Sequence, residues 1–164
     1  MTLRIGTLSK AVGAVGGFAV GTTAFVDHLW HHARPQVFST ALPPATCAAA
    51  STGLKLITDE PDRRHHLTAL ADRFRGHLSR LGLPVPPGPG AIIPVFLAAA
   101  STAVAASATL SDQGFFVPAI RPPTVPRGTA RLRVSLSALH SQDDIDRLAD
   151  AIFSVIPSEA ETRG

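Results

Sequence analysis

Toward its end the chain changes hydrophobic period. Leu132, Val134 and Leu136 alternate with Arg131, Arg133 and Ser135, the two-residue repeat of a strand with one buried face. A few residues later Ile145, Leu148, Ala149, Ile152, Phe153 and Ile156 recur at three- and four-residue steps, the repeat of an amphipathic helix. Ser141 and Asp144 stand where a capping box would open that helix. A one-faced strand and a one-faced helix so close in sequence are satisfied together when helix packs on sheet, which gives an α/β fold class.

The preceding segment extends this pattern. Leu67, Leu70, Ala71, Phe74, Leu78 and Leu81 predict an amphipathic helix that starts at Pro61 and ends near Gly82. ProValProProGlyProGly reads as a linker. Ala91 to Leu97 reads as a buried strand, Ser101 to Leu110 as a small-residue helix, and Phe115 to Ile120 as a second strand. The composition shift at DEPDRR sets a boundary, so residues 59–157 form a small α/β domain and 158–164 a disordered tail.

Residues 1–58 read as part of something larger. Leu3 to Gly6 looks like the end of a strand with no partner before it, and Gly16 to Gly21 like another short strand. Thr22 or Thr23 caps a helix through about Ala33. Pro43 and Pro44 open another from Ala45 to about Thr58, with an exposed turn, ArgProGlnValPheSerThrAlaLeuPro, between them.

Composition narrows the function classes. The net charge is +3, the arginines are dispersed, and there is no Tyr and one Trp, so base stacking and a basic stripe are both missing and nucleic-acid binding is disfavoured. The single Cys47 excludes an internal disulfide and reads as a packed thiol of a reducing, cytoplasmic compartment. The apolar run 11–26 is too short and glycine-rich for a membrane span. His28 and His32 have the i, i+4 spacing of a metal pair. With no HExxH glutamate or third ligand they read as solvent-facing, as do His31, His65 and His66, and no metal is expected.

The chain has two lysines. Lys55 reads as a snorkelling helix residue. Lys10 lies in GTLSKAVGAVGGF, among hydroxyls and glycines. A Schiff-base lysine needs close backbone and flanking hydroxyls that can hold a phosphate or orient a ring, and Thr7, Ser9, Gly13, Gly16 and Gly17 offer both. The residues alone also allow an ordinary surface lysine in a glycine-rich loop.

Three segments carry a resemblance. GTLSKAVGAVGGF resembles the cofactor-lysine segment of the α-oxoamine synthases, FSTALPP their inter-subunit turn, and AIRPPTVPRGTARLRVSLSALH their C-terminal substrate segment, in order and followed by a similar closing helix, DDIDRLADAI. The wording IRPPTVP is more similar to the 8-amino-7-oxononanoate synthases than to the glycine acetyltransferase or 5-aminolevulinate synthase types. The resemblance implies an aspartate-aminotransferase-like architecture, pyridoxal phosphate fold type I. Residues 1–58 would be the end of the large cofactor-binding domain and 59–157 the small domain. The implied reaction is decarboxylative condensation of L-alanine with a pimeloyl thioester of coenzyme A or acyl-carrier protein, in biotin biosynthesis, by a homodimer.

By that resemblance Lys10 holds pyridoxal 5'-phosphate and removes the α-proton of alanine, and Thr7 bonds the cofactor near its phosphate. Ser39 and Thr40 reach the cofactor phosphate of the other subunit. Arg133 clamps the amino-acid carboxylate, Thr124 lies near the acyl thioester, and Arg121 meets the acyl carboxylate or braces the proline turn. His140 matches a family histidine with a structural role before the last helix. What the family places before its lysine, including the ring-stacking histidine and the aspartate on the ring nitrogen, has no match here. The expectation is a truncated or split enzyme, with a non-catalytic binding or assembly module as the alternative.

Overall fold

The structure is a computed structural model that describes residues 3–83 and 85–156. The expected tail lies outside the described residues. The chain divides into two compact units, Met1–Pro61 and Asp62–Gly164.

In the first unit, β1 (Arg4–Thr7) pairs antiparallel with β2 (Gly17–Val20), so the strand that lacks a partner before it finds one after it. The helix α1 (Thr23–His32) is capped by the Thr22 hydroxyl, which accepts from the Phe25 N–H, as the sequence predicts. The exposed turn is corrected in part. Arg34–Val37 forms a one-turn helix, α2, because Pro35 sits in its first turn, where its missing N–H costs nothing. α3 runs Pro44–Asp59.

Among the described residues of this unit the buried apolar side chains are Leu8, Ala14 and Ala50, with Val12 packed on them. Ile5 is 76% exposed and Phe38 78% exposed. The packed stripe of α3 is Thr46, Ala50 and Gly53; Cys47 lies off it and is exposed, which corrects the expectation of a packed thiol.

The second unit is built around a three-stranded antiparallel sheet in the order β3 (Ile92–Ala98), β5 (Ala130–Ser135), β4 (Ala119–Ile120). Register fixes its faces. Ile93 opposite Val134 and Val95 opposite Leu132 point into the core, while Pro94 opposite Arg133 and Phe96 opposite Arg131 point away. Ala91 to Leu97 is therefore a half-buried strand rather than a buried one, since Ile92 and Phe96 are exposed. Phe115 to Ile120 pairs only at Ala119 and Ile120. Pro118 has no N–H for the ladder, although its carbonyl accepts from the Arg133 N–H at 2.9 Å.

Three helices cover the inner face: α4 (Asp62–Arg80), α5 (Ala100–Asp112) and α6 (Gln142–Val155). Leu70, Phe74 and Leu78 of α4, Leu110 of α5, and Ile145, Leu148 and Ile152 of α6 close the core over Ile93, Leu132 and Val134. Phe153, expected on the same face, is exposed. Fully burying side chains of this size contributes about 1.5–3 kcal/mol each, so this row carries the unit. α4 and α5 end alike. Gly82 (φ +81°) and Gly114 (φ +87°) take the left-handed conformation, and the following N–H returns to the last turn, Leu83 to Leu78 and Phe115 to Leu110. That reversal lays Leu83 and Phe115 against the core. The capping box of Ser141 and Asp144 is present on α6.

A polar clasp joins α4 to α6. Arg73 Nε donates to Asp146 Oδ1 at 2.8 Å and a second guanidinium nitrogen reaches Oδ2. His77 lies between Asp146, 3.3 Å from Nδ1, and Asp150, 2.9 Å from Nε2. The hydrogen bond from Arg73 holds the Asp146 carboxyl down at about 2.

Two predictions follow from this packing. A carboxyl depressed in the folded state contributes stability above its unfolded pKa and loses it as pH falls through the folded one. Asp146→Asn therefore lowers the unfolding midpoint at pH 7, and its gap from the parent closes between about pH 5 and about pH 2 in pH-dependent thermal melts. In the first unit, a Cβ on Gly53 would lie 2.6 Å from the Val12 carbonyl oxygen. Gly53→Ala gains about 1 kcal/mol of helix propensity. It still comes out destabilising by about 1–3 kcal/mol from overpacking against backbone, and limited proteolysis shows faster cleavage within residues 8–16.

Candidate active site

The first group of candidate residues sits on the β1–β2 connection. Thr7 ends β1 opposite Gly17. Beyond it the Leu8 N–H donates to the Gly16 carbonyl at 2.9 Å and the Ala14 N–H to the Leu8 carbonyl at 2.9 Å, so the loop is pinned at its base. At its tip the Gly13 N–H donates to the Lys10 carbonyl at 2.9 Å, a tight turn over Lys10–Gly13 with glycine in its last place. Leu8 and Ala14 turn inward onto Ala50, and Lys10 between them faces out. The Thr7 and Ser9 hydroxyls are 2.7 Å apart, and Thr7 Oγ1 accepts from the Ser9 N–H at 3.1 Å. One exposed amine thus stands beside two hydroxyls in a loop of fixed shape.

Ser39 and Thr40 lie just after α2. The Ser39 hydroxyl donates to the Pro35 carbonyl, which ties it to the one-turn helix, and Thr40 is exposed.

The second group lies in the other unit. Arg121, Pro122, Pro123 and Thr124 form a four-residue turn with a cis Pro122–Pro123 bond, closed by the Thr124 N–H on the Arg121 carbonyl at 3.1 Å. The turn begins at the residue after β4, the strand that pairs with β5 through Ala119 and Ile120. Arg131 and Arg133 share the outer face of β5 and differ in employment. Arg131 donates through Nε to the Thr129 carbonyl at 2.9 Å and its guanidinium stacks over Phe96 at 4.5 Å. Among the described residues no hydrogen bond or ion pair engages the Arg133 guanidinium, which is left able to take an anion with both of its parallel donors. The sequence pattern places both arginines outward; the stacking that separates them is not visible in it.

His140 has the structural place expected for it. Its Nδ1 accepts from the Ser137 N–H at 3.2 Å ahead of α6. It also lines a cavity of about 600 Å³ with Phe115, Val117, Val134, Asp144 and Leu148, a space that contains none of Arg121, Thr124 and Arg133. Among the described residues no helix is long and apolar enough to cross a membrane.

Known proteins resemble nearly all of this chain. An 8-amino-7-oxononanoate synthase of Anaeromyxobacter dehalogenans is 48% identical over 155 residues, which is 94% of this chain and 39% of that protein. A serine palmitoyltransferase structure with its PLP internal aldimine superposes with a TM-score of 0.88 at 30% identity, covering 94% of this chain and 39% of that one. The 8-amino-7-oxononanoate synthase of Francisella tularensis gives 0.83 at 27% identity, over 98% and 46% of the two chains. This chain therefore spans about two fifths of the length of the curated relatives it matches, and its α/β architecture is that of the corresponding part of these folds. The model of the aminotransferase class I and II family matches residues 2–152, and the chain belongs to that family.

Proposed function

We propose that this chain is the lysine-bearing and C-terminal part of a pyridoxal-phosphate-dependent acyltransferase of the 8-amino-7-oxononanoate synthase type. The full enzyme joins L-alanine to a pimeloyl thioester, carried by coenzyme A or acyl-carrier protein, and releases CO2 and the free thiol carrier. Residues 1–58 belong to the large domain and 59–157 are the small domain. The enzyme works in the cytoplasm as a homodimer.

The observation that carries this reading is the Lys10 loop. A lone exposed amine beside the paired hydroxyls of Thr7 and Ser9 suits an aldehyde that also bears a phosphate ester: the amine meets the carbonyl carbon, and the hydroxyls meet phosphate or ring oxygen. Thr40 on its exposed turn, and Ser39 once its hydroxyl leaves the Pro35 carbonyl, add phosphate donors to a second copy's site. When bound, the cofactor supplies an electron sink for the α-carbon of the amino acid. The residues of this chain do the rest. Lys10 Nζ takes the α-proton, Arg133 fixes the amino-acid carboxylate through its free guanidinium fork, and Thr124 and Arg121 orient the acyl group from the proline turn.

A second reading, a module that binds or assembles without catalysis, draws on the small core of the first unit and the exposure of Ile5 and Phe38. One experiment separates the two. The chain is mixed with pyridoxal phosphate, reduced with borohydride and mapped by mass spectrometry. The proposal expects visible absorbance before reduction and a pyridoxyl label on Lys10, both absent in Lys10→Ala. Equal labelling of Lys10 and Lys55, or unchanged absorbance in the variant, contradicts it.

A further inference from the structure

We propose that His28 and His32 form a solvent-facing chelate on α1 for a divalent late-transition-metal ion of the copper, nickel and zinc class. Their spacing puts them one helical turn apart on one face. The rings already lie together, with centroids 4.5 Å apart and planes 27° from parallel. Both side chains are exposed, and among the described residues their ring nitrogens enter no hydrogen bond or ion pair, so no protein group has to be displaced.

The geometry suits two adjacent coordination positions. Ligand nitrogens at about 2.0–2.1 Å from one ion lie about 3 Å apart when they occupy neighbouring vertices. Side-by-side rings reach that separation by side-chain rotation while the helix stays in place. The helix itself is anchored at both ends, by the Thr22 cap and by the Ala33 N–H on the Leu29 carbonyl at 2.9 Å. Imidazole ligands favour the later divalent ions, with copper strongest and nickel and zinc following.

No group of three or more histidine, cysteine or acidic side chains suited to a metal is present among the described residues. The chelate therefore has two protein ligands, and water fills its other positions. His31 stands three residues from His28 but its ring is not part of the stacked pair, so replacing it separates the pair from the histidine cluster as a whole.

The test is titration of nickel chloride into the untagged full chain by calorimetry, with circular dichroism of each variant as a check on folding. Binding of one ion that weakens at least tenfold in His28→Asn and again in His32→Asn, but less than threefold in His31→Asn and His65→Asn, supports the chelate. Absence of binding by the parent chain, undiminished binding by His28→Asn, or an equal loss in His31→Asn overturns it.

Discussion

The second unit depends on the cross-strand row Ile93–Val134 and Val95–Leu132. Those four side chains are the floor on which α4, α5 and α6 rest, and the register that faces them inward sends Pro94, Phe96, Arg131 and Arg133 outward. A slip of β5 by one residue would bury the arginines and expose Leu132 and Val134. Core packing and the exposure of Arg133 are thus set by one choice, the alternation that turns Leu132 and Val134 inward. The clasp of Arg73 and His77 on Asp146 and Asp150 then fixes how α4 and α6 lie over the sheet.

The first unit follows a different logic. It has little core, and its order comes from backbone hydrogen bonds at the base and tip of the β1–β2 loop and from the close approach of α3 at Gly53. Glycine is needed there because a Cβ would meet the Val12 carbonyl, so the shape of the lysine loop is set partly by a residue far from it in sequence. Exposed apolar side chains such as Ile5, Trp30 and Phe38 leave this unit with surface that buries favourably against further protein.

Much of this was legible in the sequence, and the reasons are local. The Thr22 cap, the Ser141–Asp144 capping box, the α4 stripe and the β5 alternation each need only a few neighbouring residues to specify them. The Lys10 segment, the proline turn and Arg133 were legible as a family resemblance, whereas their physical roles were not separable by pattern alone. What escaped depends on contacts distant in the chain. The stacking of Arg131 on Phe96 needs the β3–β5 register, the clasp needs α4 beside α6, and the exposure of Cys47 needs to be known from which face of α3 packs. Phe115 to Ile120 has strand composition throughout, but the Gly114 turn draws Phe115 to the core and Pro118 withholds a donor, so only two residues pair.

The central claim is the proposal that the Lys10 loop anchors the cofactor on a unit with little core, while the second unit carries a core of its own. Amide hydrogen exchange of the whole chain, with and without pyridoxal phosphate, tests it most directly. The account predicts slow exchange in β3, β5, α4 and α6 under both conditions, fast exchange through most of residues 4–59, and slowing confined mainly to residues 7–16 when the cofactor is added to the parent but not to Lys10→Ala. Uniform protection of both units, or slowing that bypasses residues 7–16, would contradict it.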